Sequence, residues 1–299
     1  MGRVSIVGAG FVGSAVAVQL KKKGYEIAGV AGRREAPAKL LAGRTGAVYC
    51  NDAAAAAAKG EIVFLTVPDR AIADTAAGIA RVGGFRPGQL VVHMSGALPA
   101  EILAPAGEAG AVIMSVHPLQ SFATIDMAIK NLPGSFFAIQ GDPAGIDKAR
   151  QIVADLDGRS FVLAPEGKPM YHLGASAASN YLVALIHFAV GLYRQIGMDE
   201  ETAVKAILPL VKGTLANIEG LGPAKALTGP VARGDITTIK THLQALRQQP
   251  DISRQLYGAL GAYTAGVARE KGTIDGSTAE AIIRLLAPGE KGGTANADR

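Results

Sequence analysis

The sequence predicts an α/β chain, with a doubly wound, mostly parallel sheet in residues 1–165 followed by an all-helical domain over 166–287. Three observations carry that prediction. Apolar strand-like runs alternate with helical patterns up to Pro165-Glu166-Gly167, and beyond that point everything to about Leu286 reads as helix. The third observation is how the chain opens: Val4-Ser5-Ile6-Val7 runs as a strand into Gly8-Ala9-Gly10-Phe11-Val12-Gly13, and a helical pattern follows from Ser14 to Lys23. A G-x-G-x-x-G in that setting builds a pyrophosphate site. Gly8 permits the tight turn, Gly10 lets backbone N–H groups near the phosphates, Phe11 and Val12 supply the first of those groups, and Gly13 lets the helix lie close on the strand. An ordinary glycine-rich β-α turn is the plainer alternative.

Size and charge bound what can be built on this start. The 299 residues, 49% of them apolar, suffice for roughly two domains with their own cores. The net charge is +5, but the basic residues are scattered, and only Lys21-Lys22-Lys23 and Arg33-Arg34 cluster. That pattern favours a small anionic ligand over nucleic acid, the lysines being readable as a solvated helix end. Cys50 is the only cysteine, which excludes an internal disulfide, and its apolar strand neighbours make it a buried small residue. No secretory signal pattern precedes the first strand, and the longest apolar stretch, 181–193, is interrupted by His187 and is short for a bilayer span. A cytoplasmic protein without a membrane segment is expected.

Taken in order, Tyr25 to Ala31 is the second strand, and its end selects the cofactor. Sites for NAD place an acidic residue there for the ribose 2′-OH, whereas Val30-Ala31-Gly32-Arg33-Arg34 offers two guanidiniums suited to a 2′-phosphate. NADP(H) is therefore expected, against the alternative of a solvated turn. Residues 46–50 form a short strand and Ala53 to Ala58 a helix of the best helix former. Glu61 to Val67 is a buried parallel strand whose end, Val67-Pro68-Asp69, reaches the carboxyl edge where such sheets bind ligands. Asp69 is readable there either as a ribose contact or as the N-cap of the helical pattern from Arg70 to Arg81. Strands over 89–94 and 111–116 bring Ser95 and His117 to the same edge. His117, held extended by Pro118, either borders the nicotinamide or is a structural turn histidine. Strands at 135–140 and 160–163 flank a helix from Pro143 to Asp157 and complete the sheet.

The helical domain opens with the most informative polar residues. Pro169 suits a first helical position, with Lys168 at the boundary, and the helix runs from Met170 to Ile186. His172, Ser176, Ser179 and Asn180 fall at i, i+4, i+7 and i+8 and form one polar stripe on an otherwise apolar, and therefore buried, helix. Such a stripe either hydrogen-bonds internally or lines a wet cavity, and the set points to an active site. His187 reads as a core histidine. Later helices cover 200–218, 236–247, 252–271 and 277–286, and 288–299 reads as a disordered tail. Asp235 opens its helix as an N-cap, and Arg233, in a glycine-flanked turn, is a candidate for gripping a substrate carboxylate.

His93-Met-Ser-Gly-Ala-Leu, His117-Pro-Leu-Gln-Ser-Phe, Tyr171-His172 through Ser179-Asn180-Tyr-Leu-Val-Ala-Leu, and Thr228-Gly-Pro-Val-Ala-Arg-Gly-Asp together resemble the Rossmann proteins with a C-terminal "domain of unknown function 2520". The resemblance implies an NADP-dependent oxidoreductase akin to the 6-phosphogluconate dehydrogenase, ketopantoate reductase and pyrroline-5-carboxylate reductase group. It also implies a homodimer formed through the helical domain. Several of those relatives use a lysine and an asparagine on the first helix after the sheet; Asn180 fits, while His172 stands in the catalytic neighbourhood. The expected activity is reduction of a small 2-oxo or imino acid. His172 is the proton donor, Asn180 and Ser176 orient the reacting oxygen, Lys168 or Arg233 holds a carboxylate, and His117 borders the nicotinamide. Two alternatives remain: oxidation of a hydroxy acid, as in the prephenate dehydrogenases that the His-Pro element also resembles, and a dinucleotide sensor without turnover. Arg233 and His242 could serve their own subunit's site or a partner's.

Overall fold

The structure is a computed structural model and describes residues 2–287; the expected tail at 288–299 lies outside the described residues. The chain divides into two compact units, the first ending at Leu182 and the second beginning at Val183. The start of the helical stretch therefore goes with the sheet, where the sequence assigned it to the second domain.

The first unit is one eight-stranded sheet in the order β3-β2-β1-β4-β5-β6-β7-β8. Its strands are β1 (Arg3–Val7), β2 (Glu26–Ala31), β3 (Val48–Tyr49), β4 (Ile62–Leu65), β5 (Leu90–His93), β6 (Val112–Pro118), β7 (Phe136–Gly141) and β8 (Arg159–Val162). β1 to β6 are mutually parallel. β7 turns back antiparallel on β6, with the Leu119 N–H donating to the Phe136 carbonyl, and β8 follows β7 in parallel. All eight strands match expected runs, with ends displaced by a few residues. His117 lies within β6 rather than beyond it.

Alternation along each strand feeds two cores, as a sheet covered on both faces requires. Val4, Ile6, Ile62, Phe64, Leu90 and Val92 face one side and meet α1 (Phe11–Lys22), α2 (Glu35–Thr45), α6 (Ile125–Asn131) and α7 (Ile146–Asp155). Val7, Val63, Leu65 and Val91 face the other and meet α3 (Ala53–Ala57), α4 (Ile72–Arg81) and α5 (Ala104–Glu108). Cys50 is buried in this second core, as its neighbours suggested.

The predicted single buried helix is corrected in two respects. α8 (Lys168–Ala178) ends at Ser179, whose φ −115° and ψ −69° interrupt the spiral, and α9 (Asn180–Gln195) follows at once. Nor is it buried in the chain: only Lys168 and Val190 in these two helices are, and His187, expected in a core, is exposed. Apolar composition records which surface prefers cover, not that the same chain provides it. The stretch Pro165–Gln195 is also long and apolar enough, by length and composition alone, to cross a membrane, in contrast to the short apolar run expected over 181–193.

The second unit holds the rest of α9, α10 (Glu200–Leu221), α11 (Pro223–Ala226), α12 (Ile236–Ala245), α13 (Asp251–Lys271) and α14 (Gly276–Leu286). Val190, Ala203 and Ile207 form one small core, and Ile239, Ala265, Ala279, Ile282 and Leu286 another. Asp199, Asp235 and Asp275 cap α10, α12 and α14 by accepting N–H groups of Thr202, Thr238 and Thr278 at 2.9, 3.0 and 2.7 Å.

Phe64 is wholly buried at the centre of the sheet. Replacing it with alanine is expected to cost about 3–5 kcal/mol, read as a lower urea midpoint at unchanged slope.

Candidate functional site

The glycine turn is built by contact. Gly8 sits at φ +115°, and a Cβ there would lie 2.6 Å from the Thr66 carbonyl group, so β1 and the end of β4 meet only because the side chain is missing. A Cβ on Gly13 would lie 2.2 Å from the Gly8 carbonyl oxygen and 2.3 Å from Thr66 Oγ1, whose hydroxyl donates to that carbonyl at 2.7 Å. Gly10, facing open space, ends the turn without a side-chain cap. α1 starts at Phe11, three residues before the expected Ser14, and its first internal bond runs from the Ser14 N–H to the Gly10 carbonyl at 2.9 Å. The N–H groups of Phe11, Val12 and Gly13 thus lack an intrahelical acceptor and are available to an anion.

A cleft of about 580 Å³ opens over this turn. Gly8, Gly10, Phe11, Val12, Arg33, Arg34, Val67 and Pro68 line it, while Gly13 lies behind the turn and Asp69 and Ser95 are outside its walls. Arg33 and Arg34 are exposed and form no ion pair among the described residues, since Glu35 pairs instead with Lys39 at 2.6 Å. Two unpaired guanidiniums beside a turn of free N–H donors fit a dinucleotide carrying an extra phosphate. Asn51, Asp52 and Thr75 also line the cleft and were not foreseen. Asn51 and Asp52 follow β3, so tracing every strand end to the carboxyl edge would have found them.

Farther along that edge, side chains from β5, β6 and α8 form a connected network. Lys168, 1% exposed, donates to Ser115 Oγ at 2.6 Å and to the Ser95 carbonyl at 3.3 Å. The Ser95 hydroxyl donates to Asp69 at 2.6 Å and accepts the N–H groups of Ala97 and Leu98. The Ser95 N–H donates to His93 Nδ1 at 3.1 Å, so the His93 proton lies on Nε2, which faces the Pro99 carbonyl at 3.1 Å.

These contacts revise three expectations. Lys168 is committed beneath the strand ends and does not reach out for a carboxylate. Ser95 spends its hydroxyl on the turn and on Asp69 rather than offering it to a cofactor. Asp69 is not an N-cap: its carboxylate accepts a hydrogen bond from the Ser95 hydroxyl, and a 3-10 turn over Asp69–Ala71 leads into α4 without a side-chain cap. Ser115 and His93 were missed because, in one dimension, they read as strand interior.

Above this network three rings converge. Tyr171 Oη lies 2.7 Å from His117 Nδ1, with the rings edge to face. The rings of His117 and His172 are 6.5 Å apart. Gly96 lies between them: a Cβ there would stand 2.8 Å from His117 Nε2 and Cε1 and 2.9 Å from His172 Cδ2. Burial, then the Lys168 ammonium, push both His93 and His117 down to about 4, and His172 adds to the effect on His117. Burial likewise lowers Lys168 to about 8, opposed by Asp69 and Glu101, and raises Tyr171 to about 12.

Ser176 follows His172 by one helical turn, half-buried, and Asn180 lies exposed just past the break at Ser179. Neither these two nor His172 makes a side-chain hydrogen bond among the described residues. Arg233 and His242 belong to the second unit. Arg233 is exposed in a 3-10 turn, and His242 Nδ1 lies 2.9 Å from the Tyr257 hydroxyl.

Residues 2–118 match a Rossmann-like domain, and residues 135–264 match a domain of unknown function (DUF2520). No curated protein matches the sequence. Among solved structures, a presumptive NADP oxidoreductase of Bacteroides fragilis, BF3122, is 25% identical over 89% of this chain and 98% of its own, with a TM-score of 0.72. Protein TM1727 of Thermotoga maritima is 28% identical over 90% of this chain and 99% of its own, with a TM-score of 0.71. A reductive aminase of Aspergillus terreus, solved with NADPH and ethyl-5-oxohexanoate, shares the fold at 18% identity, covering 96% of this chain and 92% of its own at a TM-score of 0.60.

Unfolding releases two imidazoles from about 4 to the ordinary 6.5, so the stability they contribute is complete above about pH 6.5 and is lost as the pH falls toward 4. Melting temperatures measured across that window are expected to decline. His93→Asn, which removes one of the two rings, should make the decline shallower relative to its own value at neutral pH.

Proposed function

The chain belongs to the Rossmann-like proteins that carry the domain of unknown function 2520, and from that premise we propose an NADP(H)-dependent oxidoreductase that reduces a small, anionic 2-oxo or imino acid. The observation that carries this reading is the meeting of His117 and His172 over Gly96, at the same carboxyl edge that holds the glycine turn. Bound NADPH supplies the hydride. The free N–H groups of Phe11 to Gly13 hold its pyrophosphate, and Arg33 and Arg34 grip its 2′-phosphate.

His172, free of internal partners, delivers a proton to the oxygen or nitrogen on which charge develops. Ser176 and Asn180 orient that atom by hydrogen bonds, and the neutral His117 borders it. Oxidation of a hydroxy acid would use the same groups in reverse. A sensor without turnover has no need of unpaired His172 and Asn180, which is why the enzymatic reading is preferred.

The same reading makes the active species a cytoplasmic homodimer. Its support is the apolar surface of the helices: Leu173, Tyr181, Val183 and Leu185 on α8 and α9, and Leu210, Leu215 and Leu221 on α10, are exposed in the single chain. Lys168 supports it against membrane insertion, since it ties the first turn of α8 into the sheet unit.

Removing both guanidiniums (R33A/R34A) is expected to weaken NADPH binding by about 10-fold or more while leaving NADH binding nearly unchanged, as titration of each would show. Equal losses would remove the arginines from cofactor selection. With a substrate found from a panel of 2-oxo acids and cyclic imines, His172→Asn should cut turnover by about 100-fold at unchanged NADPH affinity.

A further inference from the structure

Tyr171 is a hydrogen-bonding side chain at this edge that the mechanism above leaves without a part. Its ring is held edge-on by Phe161 at 5.9 Å and by His117 at 5.6 Å, and its hydroxyl points at His117 Nδ1. A neutral imidazole carries one proton, so whatever occupies Nδ1 decides what Nε2 offers. Were Nδ1–H to donate to the phenol, the Tyr171 O–H would have no acceptor among the described residues and Nε2 would present a lone pair. With the phenol donating, the Tyr171 hydroxyl and Nδ1 satisfy each other, and Nε2 carries a proton that has no acceptor among the described residues and so stays available to a ligand. Chemistry favours the second arrangement, because a phenol is a stronger donor than a neutral imidazole N–H and the bare imidazole nitrogen is the stronger acceptor.

Gly96 shows where that proton is displayed. His117 Nε2 and Cε1 lie beside the missing Cβ, in space shared with His172 and away from Tyr171. We propose that Tyr171 is a positioning residue: by donating to Nδ1 it holds His117 as the Nε2–H tautomer, and the donor so presented matches a neutral carbonyl oxygen rather than a protonated imine. A carbonyl oxygen accepts that bond, whereas the N–H of a protonated imine would meet donor with donor. The substrate class narrows to 2-oxo acids, a step that rests on the reductase reading; the tautomer itself does not.

The charged and titratable groups around His117 fit this state. Lys168 below it and His172 across Gly96 disfavour a second proton on the ring, Asp69 alone favours one, and Tyr171 stays protonated.

Long-range proton–nitrogen spectra of the ¹⁵N-labelled full chain, with His117 assigned from His117→Asn, test the tautomer without cofactor or turnover. The expected result is one neutral form at neutral pH, bare at Nδ1 and protonated at Nε2, that becomes a mixture of tautomers in Tyr171→Phe. A wild-type ring protonated at Nδ1, or a tautomer that Tyr171→Phe leaves unchanged, overturns the proposal. In turnover, Tyr171→Phe should lower kcat/KM for 2-oxo acids by about 10-fold and spare cyclic imines. Equal loss on both classes overturns the substrate assignment. A chain that reduces neither class overturns the reductase reading and the substrate step built on it, while the spectra still decide the tautomer.

Discussion

An ammonium group buried under the carboxyl ends of β5 and β6 holds the candidate site together. Burying a lone cation is costly, and Lys168 offsets that cost by donating to Ser115 Oγ and the Ser95 carbonyl, with Asp69 one serine away. The consequence is geometric. Once Lys168 is pinned, the next turn of α8 must place Tyr171 and His172, three and four residues on, over Gly96 and His117. The same charge helps keep the neighbouring imidazoles neutral, so one buried group sets both the position and the protonation of the rings above it.

The glycine turn works by a complementary device, the absence of side chains. Gly8, Gly13 and Gly96 each stand where a Cβ would collide with backbone or with a ring. At Gly8 and Gly13 the gain is close approach of strand, helix and ligand; at Gly96 it is the space in which two histidines face a common point. Gly96 gave no sign of this in the sequence, where it was one more residue after a strand.

The two units differ in how completely they cover themselves. The sheet buries alternate residues on both faces, and its cores are contiguous from Val4 to Leu156. The helical unit has two small cores and leaves large apolar side chains on α9, α10 and α13 exposed. A second copy of the chain is the cover proposed above.

Local information was enough for much of this. Strand periodicity, the G-x-G-x-x-G spacing and the arginine pair at the end of β2 are short-range patterns, and they determined the sheet, the order of its elements and the cleft with its character. His172 and Ser176 are legible as neighbours because a helix repeats over a few residues, whereas the break at Ser179 puts Asn180 on the next helix. What only the tertiary structure decided is what lies beside what across long stretches of chain. Lys168 meeting Ser95 and Ser115, Tyr171 meeting His117, and Asp69 accepting the Ser95 hydroxyl instead of capping a helix all join residues tens of positions apart. Short-range sequence patterns do not reveal these pairings; they follow from the sheet register that sets β4, β5 and β6 side by side, and from the helix that the buried lysine fastens to their ends.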